Sequence, residues 1–215
     1  MNRQMKIPTL VLCGDAWHPA AVVRRGFAPL ANSDFAFEFV TDGRRCSSKL
    51  MDEFPLVVVA KANHVDATNQ QSWLTGETQS VFQHFARNGG GLLLLHAGTC
   101  YRDLPMMRSV TGGAFLSHPE PCAVTIEPKV GHPLTAGVNA FTELDEHYFM
   151  AFDGTDRDVF AWSQSVHGKQ PAGWLRSEGR GRVCALTPGH NLEVWLNPEF
   201  QKLLSNALHW AAGLN

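Results

Sequence analysis

No apolar run in this chain is long enough to cross a membrane. The longest, such as 56–60 and 92–95, hold only a few residues, where a span needs roughly 20. The polar stretch Met1–Lys6 has no secretory apolar core followed by a small-residue cleavage site, so a cytoplasmic protein is expected. No run of Lys or Arg occurs either. With 18 basic residues against 20 acidic ones the formal charge is −2, and the electrostatic footprint of a nucleic-acid binder is missing. The five cysteines (Cys13, Cys46, Cys100, Cys122 and Cys184) are odd in number and far apart, with no C-x-x-C pair. That pattern suits a reducing compartment better than a disulfide framework or a zinc ribbon. Repeats, low-complexity tracts and linkers are also absent, so the expectation is one domain over residues 1–215.

What is present is an ordinary globular balance, 44% apolar and 18% charged, patterned as alternating strands and helices. Strand candidates are 9–14, 36–40, 54–60 and 92–95. Helical spacing marks 18–30 and 75–87, the latter with Val81, Phe82, Phe85 and Ala86 on one stripe. Strands apolar on both faces, separated by helices, indicate a mainly parallel sheet covered on each side. The second half reads as an antiparallel elaboration, with strands near 123–127, 159–162, 172–175 and 182–186. The chain closes in an amphipathic helix from Pro198 to Ala212, whose apolar face is Phe200, Leu203, Leu204, Ala207, Leu208 and Ala211. The Gly-rich segment 88–91 precedes a strand rather than following one, so it cannot be a dinucleotide-binding turn, and no nucleotide cofactor is expected.

Histidine is over-supplied: the chain has 10. In an open parallel sheet the ligand crevice lies beyond the carboxyl ends of the strands, and imidazoles follow four strand candidates there: His18, His64, His96 and His190. His96 is the sharpest. Four leucines lead into His96-Ala97-Gly98, the layout of an elbow that exposes one side chain over the crevice. An imidazole at such a point suits a zinc ligand or a general base. His190, after Gly189, ranks next and His18 third. His118 is flanked by prolines and suits a rigid ligand as well as a plain turn, whereas His132, before Pro133, reads as a turn-former. His64, His84, His167 and His209 read as ordinary. Of the adjacent acids Asp145 and Glu146, only one can enter a given site from a strand. Glu146 is the candidate ligand, acid or base, with Tyr148 on its face, and Asp145 braces the loop. Cys100 stands off the elbow, with no adjacent base implied, and reads as a buried thiol.

Several of these segments resemble, in order, the motifs of the ThuA-like family, named for trehalose utilisation. They are GGGLLLLHA at 89–97, Gly112-Gly113-Ala114-Phe115 with His118-Pro119, Gly131-His132-Pro133-Leu134-Thr135, and Asp145-Glu146 with Tyr148. Pro171-Ala172 with Trp174, Gly181-Arg182-Val183, Gly189-His190 and His209-Trp210-Ala211-Ala212-Gly213 complete the set. The resemblance implies a three-layer, flavodoxin-like fold of the class I glutamine amidotransferase type, in which His96 replaces the nucleophilic cysteine. It also implies a role in disaccharide or modified-sugar metabolism. The first loop, 15–19, is shorter and departs from the family pattern.

Together these readings give a metal-assisted enzyme acting on a disaccharide or keto-sugar derivative, by hydrolysis, isomerisation or elimination. His96, Glu146 and His190 are its catalytic candidates. His96, His118 and His190 are the candidate ligands of a divalent metal such as zinc, with His18 and Glu146 also in the donor pool. Asp15, His18, Asn63 and Tyr148 are the candidate substrate contacts. The expected partner is a small carbohydrate rather than nucleic acid or membrane, with self-association left open. Two alternatives remain at this stage: a non-catalytic sugar-binding or regulatory module whose tryptophans stack on sugars, and a glutamine amidotransferase using Cys100.

Overall fold

The computed structural model describes residues 5–31 and 34–214; the first four residues of the polar stretch Met1–Lys6 lie outside them. Strands β1 (Ile7–Cys13), β2 (Phe35–Val40), β3 (Leu56–Ala60) and β4 (Gly91–Leu95) alternate with helices α1 (Ala20–Phe27), α2 (Ser48–Met51) and α3 (Gly76–Arg87). After helix α4 (Pro105–Thr111) come β5 (Gly113–Ser117), β6 (Cys122–Pro128), β7 (Phe141–Asp145), β8 (Phe149–Phe152), β9 (Asp158–Ser165), β10 (Gly168–Glu178) and β11 (Gly181–Leu186). Helices α5 (Leu192–Leu196) and α6 (Pro198–Ala211) close the chain.

One nine-stranded sheet runs in the order β2-β1-β3-β4-β11-β10-β9-β6-β7. The first five strands pair in parallel and the last four extend the sheet antiparallel. The parallel part has the flavodoxin-like order, with β11 as its fifth strand. The expected parallel sheet with an antiparallel elaboration is therefore the observed one. A separate hairpin-like pair, β5 with β8, packs beside it.

Strand alternation divides the core. Leu93 and Leu95 of β4, with Val11 and Cys13 of β1, face the layer holding α1, α5 and α6. Leu92 and Leu94, with Leu10 and Leu12, face the opposite layer holding α3 and α4. All four leucines of β4 are fully buried, which stabilises the fold by about 1.5–3 kcal/mol per side chain. The apolar face expected on α6 is the buried one, residue for residue. In α3 the structure buries Gln79 with Phe82, Phe85 and Ala86, while Val81 packs only partly against the core. Thr75 caps this helix by accepting the Thr78 N–H.

The antiparallel strands also join the α6 layer: Val124, Ile126, Phe141 and Phe160 pack in the same cluster as Phe200 and Leu203. This wing therefore wraps toward α5 and α6 instead of extending flat. Its last strand ends beside the loop after β11, which brings Glu146 to the site described next.

Candidate metal centre

Four side chains from four separate segments meet at the carboxyl end of the parallel strands. His18 follows β1, His96 follows β4, Glu146 follows β7 and His190 follows β11. One ligating atom from each lies within 4.8 Å of the other three. The imidazole centroids form a near-regular triangle: His18–His96 5.1 Å, His18–His190 5.3 Å and His96–His190 5.6 Å. Glu146 closes the group, its Oε2 3.4 Å from His96 Nε2 and 3.2 Å from His190 Nδ1.

Each member is held from behind. His96 begins the turn with φ +45°, the one non-glycine residue with positive φ among the described residues. Such a backbone costs on the order of 1–3 kcal/mol and persists only where its surroundings enforce it. The turn is tight because Gly98 lies against β3: a Cβ there would collide with the Val59 carbonyl. The Thr99 hydroxyl closes it by donating to the His96 carbonyl. His96 Nδ1 donates to the Thr187 carbonyl at 2.7 Å. A carbonyl only accepts, so Nδ1 carries a proton and Nε2 is the nitrogen turned to the centre.

His18 is fixed in the same way. Its Nδ1 lies 2.9 Å from both carboxylate oxygens of Asp15, which leaves Nε2 free. The Asp15 carboxylate also accepts the backbone N–H groups of Trp17, His18 and Ala62. Asp145, 3% exposed, accepts the N–H groups of Gly189 and His190, each at 2.9 Å. One acidic residue of the adjacent pair thus locks the β11 turn while its neighbour enters the site.

The electrostatics follow from burial and from these contacts. Burial pushes the Glu146 carboxyl up, but His190 and His96 outweigh it and hold the group well below the usual range, as a carboxylate. Glu146 raises His190 in return, against burial. Burial lowers His18 despite the opposing pull of Asp15. Burial would raise Asp15, yet His18 and the backbone N–H groups bring it down to about 2.

The centre therefore gathers imidazole nitrogens around an ionised carboxylate. His96 Nε2 and His190 Nδ1 are buried with no aligned hydrogen-bond partner, although both lie within ion-pair distance of the Glu146 carboxylate. Buried polar atoms left so are costly. A divalent cation satisfies all of them at once, and an N/O donor set of three imidazoles and a carboxylate suits zinc. The Asp15–His18 pair and the Thr187 carbonyl behind His96 are the outer partners that orient metal-binding imidazoles.

The remaining expectations are met unevenly. His118 is not within the four-donor group. It stands at the rim, its Nε2 3.6 Å from the outer oxygen of Glu146 and its Nδ1 donating to the Pro119 carbonyl. His18 and Glu146 take the place foreseen for it. Asp15 is not open to substrate: it is 1% exposed and saturated by His18 and backbone N–H groups. Asn63 lines the cleft, but its Oδ1 is occupied by the N–H groups of Trp73 and Leu74. Tyr148 lies under the cleft with its ring stacked on His96 at 4.1 Å. The Cys100 thiol donates to the Tyr148 hydroxyl and burial pushes it up to about 12, which does not suit a nucleophile. His132 shapes its turn, as expected, by accepting the Leu134 N–H. His64 is not an ordinary surface histidine. It lines the cleft with Trp17, Phe115, His118 and Tyr148, and its position after β3 was the sequence signal for this.

A flavodoxin-like sheet with a histidine at the strand-end elbow, facing a carboxylate and two more imidazoles, defines the class of protein. The model of the family described as trehalose utilisation, ThuA, matches residues 14–211. The chain belongs to that family, and this membership supports a carbohydrate-related role. Among solved structures, a ThuA-like protein from Parabacteroides merdae is 21% identical with a TM-score of 0.78, covering 96% of this chain and 90% of that one. A ThuA-like protein from Bacteroides uniformis is 19% identical with a TM-score of 0.76, covering 98% and 93%. The fold also recurs within a β-galactosidase from Rahnella at 11% identity and a TM-score of 0.70, covering 99% of this chain but 32% of that one. A search of curated proteins finds no match. Among the described residues, no helix is long and apolar enough to cross a membrane.

Proposed function

We propose that the protein is a metal-assisted enzyme acting on a disaccharide or keto-sugar derivative. The observation that carries the reading is the convergence of one ligating atom from each of three imidazoles and a carboxylate within 4.8 Å, with His96 Nε2 and His190 Nδ1 buried and without an aligned hydrogen-bond partner. In this reading His18, His96 and His190 hold a divalent ion, zinc by the donor set. The ion supplies Lewis-acid polarisation of a sugar carbonyl or hydroxyl.

The chain's own residues do the rest. Glu146 is the base: its Oε2 faces the centre and its other oxygen faces the cleft and His118. It is ionised and reaches the cleft, so it can accept a proton from a substrate hydroxyl or an activated carbon, its low basicity offset by the acidity that a bound ion would confer on that group. Asp15 and the Thr187 carbonyl hold the rings in one tautomer and one orientation, so little reorganisation is needed. Tyr148, stacked on His96, walls the centre from the protein side.

The test is turnover of a panel of disaccharides and keto-sugar derivatives. Activity removed by a chelator, restored by zinc and abolished in Glu146→Gln supports the reading. Saturable sugar binding without turnover in the zinc-loaded protein would favour the sugar-binding module instead.

A further inference from the structure

The indole of Trp17 is 61% exposed and lines the cleft beside Asn63, His64 and His118, so it offers an open aromatic face to a ligand there. It is not on a loose loop. The Trp17 backbone N–H donates to Asp15 Oδ1 at 2.9 Å, and the Asp15 N–H donates to the His18 carbonyl, so the carboxylate that orients His18 also sets the Trp17 backbone. The indole stands edge-to-face with His64, ring centroids 4.4 Å apart. His64 Nδ1 is buried with no hydrogen-bond partner among the described residues. Across the cleft, Phe115 packs on Tyr148 at 4.3 Å. Between these walls the cleft has a volume of about 770 Å³, within the range that holds a ligand larger than one small ring.

We propose that Trp17 and His64 form a separate sugar-ring platform at the mouth of the cleft, so that the protein takes a glycoside of at least two rings. The ring that reacts lies on the histidine centre, and the second lies with its apolar C–H face on the indole. His64, edge-to-face with the indole, backs the platform and sets its angle. Aromatic rings suit this role because they add contact area with little loss of side-chain freedom. The reading favours a disaccharide derivative over a free keto-hexose. It rests on the cleft being a sugar site, and its test is separable from that of the metal.

The experiment is calorimetric titration of the purified protein with trehalose, maltose and sucrose against glucose, in wild type, Trp17→Ala and Trp17→Phe. Metal content and melting temperature are read on the same preparations. The expected result is preference of wild type for at least one disaccharide over glucose. Trp17→Ala then loses roughly 10-fold in disaccharide affinity, with glucose binding, metal content and melting temperature unchanged, and Trp17→Phe retains part of the gain. Equal disaccharide affinity in wild type and Trp17→Ala overturns the proposal. So does a wild type that binds none of the sugars, or a Trp17→Ala variant altered in its association state rather than in sugar binding. Absence of metal alongside a Trp17-dependent disaccharide preference overturns the metal reading alone.

Discussion

At the residue scale the protein invests in holding imidazoles still. His96 adopts a backbone that L-residues rarely take, and His18 is clamped by a carboxylate with no exposure to solvent of its own. Asp15 gives a prediction with a defined sign. Its folded value of about 2 lies below the ordinary carboxyl value of 3.8, so the folded state favours the ionised form. The corresponding stability is fully present above about pH 4 and is lost as pH falls toward about 2. Asp15→Asn should therefore cost about 2 kcal/mol in denaturant unfolding of the metal-free protein at pH 7. The gap from wild type should close across that acid window. The same variant should weaken zinc binding by roughly 10–100-fold, the usual effect of removing the partner of a metal-ligating imidazole. An unchanged zinc affinity would show that His18 is not a ligand.

At the element scale, the site depends on four strand-end turns that are remote in sequence, and on the antiparallel wing that carries Glu146. The first three turns were legible in the sequence because β1, β3 and β4 read as short apolar runs that end abruptly. The elbow at His96 was legible from the small residues around it. The role of Asp145 was legible from its pairing with Glu146, since neighbours along a strand face opposite ways. Other elements were not. Strand β8 is half-buried throughout and α5 is only Leu192–Leu196, so neither carries a clean periodicity, and β10 was legible only at 172–175 because bulges near Gly173 interrupt it. The rim position of His118 has a similar origin. Its motif gives local rigidity, but only the β5–β8 pairing decides how far it stands from the centre. Asp145 supplies this scale's prediction. Asp145→Ala leaves the Gly189 and His190 N–H groups unpaired in a buried place, and should cost about 2–3 kcal/mol by denaturant unfolding. It should also reduce metal occupancy, because His190 and Glu146 lose their common anchor. Intact zinc binding in a destabilised variant would separate the wing from the site.

At the scale of the whole molecule, the parallel sheet and the wing serve one end. The sheet delivers three imidazoles to its carboxyl edge, and the wing folds back over α5 and α6 to add the carboxylate. Family and fold class were readable because motifs along the entire chain agree with the strand pattern. The donor set was readable only in part, since no local sequence relation places His18 beside Glu146. They come within 4.8 Å because the strand at the far edge of the sheet ends against the loop after β11.

Whether the three imidazoles and Glu146 hold a metal is decided by elemental analysis of the purified protein. The account predicts about one divalent ion per chain, zinc by the donor set, falling to near zero in His96→Ala and His190→Ala while Cys100→Ser keeps it. A wild-type protein that stays metal-free after incubation with zinc, or a His96→Ala variant that binds as much as wild type, would contradict it.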